Sequence, residues 1–238
     1  MTTNQLGQTE KKYYTQFAKI HVAVDCIIFG FLENQLKILL LKRNFEPDMG
    51  KLSLIGGFVK EEESLDDAAE RILYDLTGLK SVFLEQLYSH GEIDRDPGER
   101  VISVSYYALL KVQDLDHDHV LKSGARWCNI GECQELIFDH NEMVVGALQR
   151  LRRVAKIQPI GFELLPRKFT IPQLQMLYEA IYQKTFDNRN FRKKLLAMDV
   201  LEKLATKDKS TSKKGAFLYR FDRKRYNKLH QDGFLFDL

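Results

Sequence analysis

No stretch of this sequence is apolar for long enough to cross a membrane, which takes about 20 consecutive apolar residues as a helix. The opening residues, MTTNQLGQTEKKYY, lack the apolar core of a secretory signal, so we expect no export. Cysteine is scarce and odd in number: Cys26, Cys128 and Cys133 are the three in 238 residues. Cys128 and Cys133 have no partner ligands at metal-like spacing, and the simplest expectation is three reduced thiols in a cytoplasmic protein. There is no internal repeat and no long low-complexity segment. What remains is a globular composition, 44% hydrophobic and 11% aromatic, in a chain long enough for one large or two small domains with real cores.

Charge is present but unevenly placed. Residues 1–164 carry 19 Lys and Arg against 25 Asp and Glu, a net of −6; residues 165–238 carry 17 against 8, a net of +9, and together these give the overall +3. A basic C-terminal part behind an acidic body suggests a polyanion-binding module attached to a domain with another task. A solvated tail has the same charge, but this segment is too rich in periodic apolar residues for that.

The first part alternates strands and helices. HVAVDCIIFGF and LKILLLKR flank Glu33-Asn34 and read as a hairpin. LSLIGGFV is a short strand. Ser64 and Asp67 form an S-x-x-D capping signal, and Gly78 suits the end of a helix over 65–76. SVFLEQLYSH and RVISVSYYALLKV are two further strands joined by a polar Asp-Arg-Asp-Pro-Gly turn, and ARWCNI is another strand. Apolar residues at Met143, Val144, Leu148, Leu151, Val154 and Ala155 have helical spacing over 141–157. Pro159, Gly161 and Pro166 then interrupt the chain. This places a boundary near Gln158, with domains at 1–158 and 159–238.

Within the first domain, Gly57, Glu63, Arg71, Leu73, Gly78 and Leu79 fall in register with G-x5-E-x7-R-E-U-x-E-E-x-G-U, where U is a bulky apolar residue. GFVKEEESLDDAAERILYDLTGL therefore resembles the Nudix box. The resemblance implies an α/β/α sandwich in which the box helix presents carboxylates to divalent metal. Here those positions are Ile72, Asp75 and Leu76, at i, i+3 and i+4 and so expected on one helix face. One carboxylate between two apolar chains is a poor site for a hard cation, which needs several oxygen ligands. No catalytic residue, metal or cofactor is therefore expected. Glu63 is retained within reach of Arg71, where it would fix the junction of loop and helix.

The second domain opens with FTIPQLQMLYEAIY, a helix with Thr170 as a plausible N-cap and Pro172 in its first turn. NRNFRKKLL follows, capped by Asp187 or Asn188. Its apolar stripe, Phe191, Leu195 and Met198, leaves Arg189, Asn190, Arg192 and Lys193 facing outward near its front. In a helix-turn-helix that part of the second helix enters the DNA major groove, where Arg reads guanine and Asn reads adenine. VLEKLA, TKDKSTSKKG and AFLYRFD then read as strand, basic loop and strand: the wing of a winged helix. Lys207, Lys209, Ser210, Ser212, Lys213 and Lys214 suit phosphate contacts, and Arg220, Arg223, Lys224 and Arg225 add charge.

A Nudix domain followed by such a module resembles the NrtR-like transcriptional regulators over nearly the whole chain, including their arabinose-responsive AraR branch. The resemblance implies a homodimer that binds an operator in double-stranded DNA, together with a small effector in the old Nudix cleft: a sugar such as arabinose or an ADP-ribose-like nucleotide. On it the DNA contacts are Thr170, Asn188, Arg189, Asn190, Arg192, Lys193, Lys209, Ser212, Lys213, Lys214 and Arg220. The cleft residues are Asp25, Lys42, Arg43, Lys51, Ser53, Gly56 and Gly57, with His90, Asp94 and Trp127 as further lining. Each of these is equally compatible with an ordinary surface charge. The sequence keeps two alternatives open: a divergent hydrolase of ADP-ribose or another nucleoside diphosphate derivative, with Asp75 and Glu63 holding metal, and an adaptor whose C-terminal module docks a protein.

Overall fold

The computed structural model describes residues 15–80, 82–115, 117–132, 135–209 and 214–238. In chain order the first domain contains β1 (His21–Leu32), β2 (Gln35–Lys42), β3 (Leu52–Ser53), β4 (Ile55–Phe58), α1 (Leu65–Thr77), β5 (Phe83–His90), β6 (Val101–Leu110), α2 (His117–Lys122), β7 (Ala125–Asn129) and α3 (His140–Ile157). The second contains β8 (Phe169–Thr170), α4 (Ile171–Tyr182), α5 (Asn188–Ala197), β9 (Leu201–Asp208), β10 (Ala216–Phe221) and α6 (Arg223–Gln231).

Among the described residues the larger sheet runs β3-β2-β1-β6-β5, with β4 also pairing β1 and β7 pairing β2. β1 and β2 form the expected hairpin, and Glu33 and Asn34 take left-handed conformations (φ 54° and 60°) at its turn. The two-residue period of β1 sorts its side chains between two cores. Val24, Cys26 and Ile28 pack under α1, while Ile27 and Phe29 pack under α3. This is the α/β/α sandwich expected from the sequence. Burial pushes the Cys26 thiol up to about 12, with the neighbouring Asp25 carboxylate adding to the effect, so this cysteine is an inert packing group. Cys128 is also free, and Cys133 lies outside the described residues.

The second domain is a winged helix: α4, a turn, α5, then the β9–β10 hairpin, with β8 completing a three-stranded sheet on β10. Thr170 caps α4 reciprocally with Gln173, and Asp187 caps α5 by accepting from the Asn190 N–H at 2.9 Å. The turn between the helices is stapled by α4 side chains. The Gln175 amide donates to the Phe186 carbonyl (3.1 Å) and to Asn188 Oδ1 (2.7 Å), while Glu179 accepts the Phe186 N–H (2.8 Å).

Three features differ from the sequence reading. β9 runs through Thr206 to Asp208, so the wing tip is shorter than a loop starting at Thr206. The short helix α2 was missed because six residues give too little periodicity to register. α6 was read only as added charge: its apolar residues are just Tyr226 and Leu229, both half-buried against the core. The two domains also share one continuous core. Ile160, Phe162, Leu164 and Leu165 join the α3 side of the sandwich to Leu174, Leu177, Tyr178 and Phe191 of the winged helix.

Candidate functional site

The box motif folds as its capping and turn residues demand. The Ser64 hydroxyl accepts from the Asp67 N–H (3.1 Å), and the Asp67 carboxylate accepts from the Ser64 N–H (3.1 Å). Gly78 ends α1 at φ 69°, a conformation an L side chain resists. Arg71 donates to both oxygens of Glu63 at 2.8 and 2.6 Å and to the Phe58 carbonyl at 3.2 Å, and Glu63 accepts the Lys60 N–H at 2.9 Å. These bonds tie the loop to the helix, and they hold the Glu63 carboxyl down at about 2, chiefly through Arg71.

The three substituted positions do not form one presented face. Ile72 and Leu76 are 7% and 6% exposed and pack into the core between α1 and the sheet. The Asp75 side chain is 65% exposed and turns toward Arg71, 4.0 Å away. The Ile72 side chain lies directly beneath Gly57, where an added Cβ would come within 3.2 Å of Ile72 Cδ1.

The polar cleft opens on the opposite, α3 side of the sheet. Asp25 lies on that face of β1 by the same two-residue alternation, with Ser103 of β6 beside it. The Ser103 hydroxyl donates to Asp25 Oδ2 at 2.5 Å. Arg95 reaches in from the β5–β6 connection, its side chain only 3% exposed, and grips Asp139 through two bonds of 2.9 and 2.6 Å. It also lies 3.8 Å from Asp25. Burial pushes the Asp139 carboxyl up, but the hydrogen bonds and charge of Arg95 outweigh it and hold the group below the usual carboxylate range. His140, the first residue of α3, accepts the Leu54 N–H on Nδ1 at 3.0 Å, so its Nε2 carries the proton and faces Asp25 Oδ1 at 3.7 Å. Burial drives its pKa down, so the ring is neutral near pH 7. His90 stands 3.8 Å from Asp139 and pairs with the Ser105 hydroxyl at 3.0 Å. Gly56 is required by close approach, because a Cβ there would sit 2.2 Å from Asp25 Oδ1.

Above this floor lies a ring of flat groups. The Arg43 guanidinium stacks 3.9 Å from the Phe45 ring centre and 5.4 Å from that of Phe138. Phe45 and Phe58 are each 55% exposed at the rim, Phe58 with its ring 5.4 Å from that of His21. The enclosed volume is about 130 Å³. That is well below the ~300–1,000 Å³ of a full small-molecule site, so a larger ligand would extend across the exposed rings. A larger hollow of about 550 Å³ runs between α1 and β5, lined by Leu73, Tyr74, Lys80 and Val82 among others. The buried charges lie in the smaller cleft, and the site is assigned there.

Of the residues expected from the sequence, the cleft gathers Asp25, Arg43, Ser53, Gly56 and Gly57. It does not gather Lys42 or Lys51. Lys42, the last residue of β2, is exposed and does not line the cleft, and Lys51 is exposed and paired with Asp48 at 2.7 Å. Asp94 is exposed and does not line the cleft, and Trp127 packs against Gly30. The sequence reading missed Arg95, Ser103, Phe138, Asp139 and His140. Arg95 looked like part of a polar turn, and only the fold returns that turn to the cleft.

On the winged helix, Asn188, Arg189, Asn190, Arg192 and Lys193 are all exposed, while Phe191, Leu195 and Met198 are buried as expected. Lys209 and Lys214 are exposed at the wing; Ser212 and Lys213, like Ser210, lie outside the described residues. Two other expected residues are already engaged within the domain. Thr170 is buried and its hydroxyl is taken by the α4 cap, while Arg220 is exposed and paired across the hairpin with Glu202 at 3.0 and 2.5 Å.

Two family models match the chain: the NUDIX domain over residues 19–145 and the NrtR DNA-binding winged helix domain over residues 161–221. The chain is 29% identical to the ADPR responsive transcriptional repressor NtrR of Acinetobacter baylyi, over 92% of this chain and 91% of that protein. It is 32% identical to an ADP-ribose pyrophosphatase of Methanocaldococcus jannaschii, over 58% of this chain and 79% of the enzyme. The crystal structure of Shewanella oneidensis NrtR complexed with a 27mer DNA superposes with a TM-score of 0.76 at 29% identity, covering 84% of this chain and 93% of that one. The NUDIX domain of the same Shewanella protein, complexed with ADP ribose, matches at 30% identity and a TM-score of 0.52, covering 59% of this chain and 94% of that domain. No helix among the described residues is long and apolar enough to cross a membrane. The chain belongs to the NrtR-like family, in which a Nudix domain is joined to a C-terminal winged helix.

Proposed function

We propose that this protein is a cytoplasmic, homodimeric transcriptional repressor, with domains dividing at 158/159. Its first domain binds a nucleotide effector of the ADP-ribose class, and its second holds operator DNA. The observation that carries the reading is the pairing of two surfaces on one chain: an arginine-and-phenylalanine-rimmed cleft, and a winged helix whose second helix, α5, turns Arg189, Asn190, Arg192 and Lys193 to solvent. Phe45 and Phe58 offer faces on which a planar base can stack, and Arg43 offers a cation for phosphate. A neutral sugar such as arabinose brings no anionic group to pair with Arg43, so a nucleotide is the better fit. In DNA the front of α5 enters the major groove, with Lys209 and Lys214 of the wing on phosphates. The effector lowers operator affinity by binding one arrangement of the domains more tightly than the other.

Hydrolysis is the second reading, favoured by the likeness to the pyrophosphatase. Against it, Ile72 and Leu76 are core residues, and among the described residues no three acidic, imidazole or thiol groups converge as a cation would require. The deciding experiment is fluorescence anisotropy on DNA from upstream of the protein's own and neighbouring genes, titrated with ADP-ribose and separately with arabinose. Parallel incubation with ADP-ribose and Mg²⁺ or Mn²⁺ tests turnover. Release of DNA by ADP-ribose without turnover is expected. Release by arabinose alone, or rapid hydrolysis, would overturn the reading.

A further inference from the structure

We propose that α3 is a lever from the effector cleft to the helix-turn-helix, with Arg152 as the positioning residue at its far end. The proposal rests on the functional reading above. One end of the lever is in the cleft. Phe138, two residues before α3, lines the cleft and lies beside Arg43, yet holds a left-handed backbone conformation (φ 52°) that a bulky side chain resists. Asp139 follows, and its carboxylate grips Arg95 rather than capping the helix. A ligand seated in the cleft against Phe138 therefore acts on a strained hinge at the start of α3.

The other end is on the winged helix. Arg152 Nε donates to the Ile181 carbonyl at 2.7 Å, and its terminal nitrogen donates to Gln183 Oε1 at 2.9 Å. The Tyr182 hydroxyl returns a bond of 3.0 Å to the Arg152 carbonyl. Gln183 is the left-handed C-cap of α4 (φ 53°), and Asp187, four residues on, caps α5. Arg152 thus holds the last turn of α4 at the point where the chain departs for the helix facing DNA. Between the two ends lie about 18 Å of helix, at 1.5 Å per residue. Met143, Ala147, Leu151 and Val154 bury one side of it in the shared core, so a displacement at Phe138 passes along it as a rigid-body movement.

The test uses the full chain, with ADP-ribose as probe, and reads three quantities: DNA affinity alone, DNA affinity at saturating ADP-ribose, and ADP-ribose affinity by calorimetry with and without DNA. Coupling is reciprocal, so the same factor must appear in both affinities, with ~5–150-fold typical of such systems. Arg152→Ala is expected to keep both separate affinities within about two-fold and to lose most of the coupling factor. A merely structural residue would lower the separate affinities instead and leave the factor in place. Should Arg152→Ala fail to fold, Arg152→Met decides. Met keeps the packing of the side-chain stem but donates no hydrogen bond to Ile181 or Gln183, so a reduced factor supports the lever. An undiminished factor in the deciding variant overturns it. A wild-type protein whose DNA affinity ignores ADP-ribose overturns the functional reading itself, and the lever with it.

Discussion

Arg95 and Arg189 stand at the two working ends of this chain in opposite conditions. Arg95 is almost wholly enclosed, bonded twice to Asp139 and close to Asp25. Arg189 is exposed at the front of α5, on a helix with no acidic residue in its first turn. An enclosed charge costs several kcal/mol to desolvate and survives only when paired, so Arg95 shapes the cleft floor without offering its charge to a ligand. An exposed charge costs little to keep and can be given to a phosphate or a guanine edge. On the proposed reading the cleft selects by shape, stacking and the rim cation Arg43, and the winged helix by an outward cationic face.

The comparison breaks first at Asp139. Asp139→Ala leaves Arg95 buried without its main partner and should destabilise the fold by about 3 kcal/mol, read from urea unfolding. A cost under ~1 kcal/mol would mean that the pair is solvated. Next comes Ile72→Glu, which restores one acidic position of the box pattern. Because Ile72 lies in the core, the variant should lose about 2–3 kcal/mol and gain no Mg²⁺-dependent turnover of ADP-ribose. Turnover would place position 72 at a working metal site after all. Arg189→Ala should leave the unfolding curve unchanged and weaken specific DNA binding by about 1–3 kcal/mol, relaxing one base preference. Lys193→Ala should act more evenly across sequences and flatten the slope of log affinity against log salt by about one.

The smallest effect concerns pH. Glu63 is held down to about 2 by Arg71, so its stabilising contribution is full above the ordinary carboxyl value near 4.5 and fades as pH falls toward about 2. Glu63→Gln should therefore run below wild type by a constant amount at neutral pH and meet it in strong acid. Parallel curves down to pH 2 would show that Glu63 and Arg71 do not pair in solution.

The box scaffold was legible because it is local. Ser64 with Asp67, Gly78, and Glu63 with Arg71 are close in sequence, and capping and turn chemistry dictate their geometry. The same holds for α5: a stripe at Phe191, Leu195 and Met198 forces Arg189, Asn190, Arg192 and Lys193 outward. Residues further apart were harder to place. Asp25 was expected in the cleft, but its partners Arg95, Ser103 and His140 lie 70 to 115 positions along the chain, and nothing in their neighbourhoods marks them. Lys42 closes β2 outside the cleft, and its neighbours in sequence do not show how far along a strand the cleft extends.

The sequence by itself determined the two modules, their order, the loss of two acidic positions from the box, and the outward basic face of α5. These follow from spacing, caps and periodicity, all of which act over a few residues. The tertiary structure decided that Ile72 and Leu76 fill the core under α1 while the polar cleft opens on the other side of the sheet. It also decided that the two modules share a core with α3 running between them. The reason is that a sheet has two faces and a helix two ends, and only packing says what each of them meets.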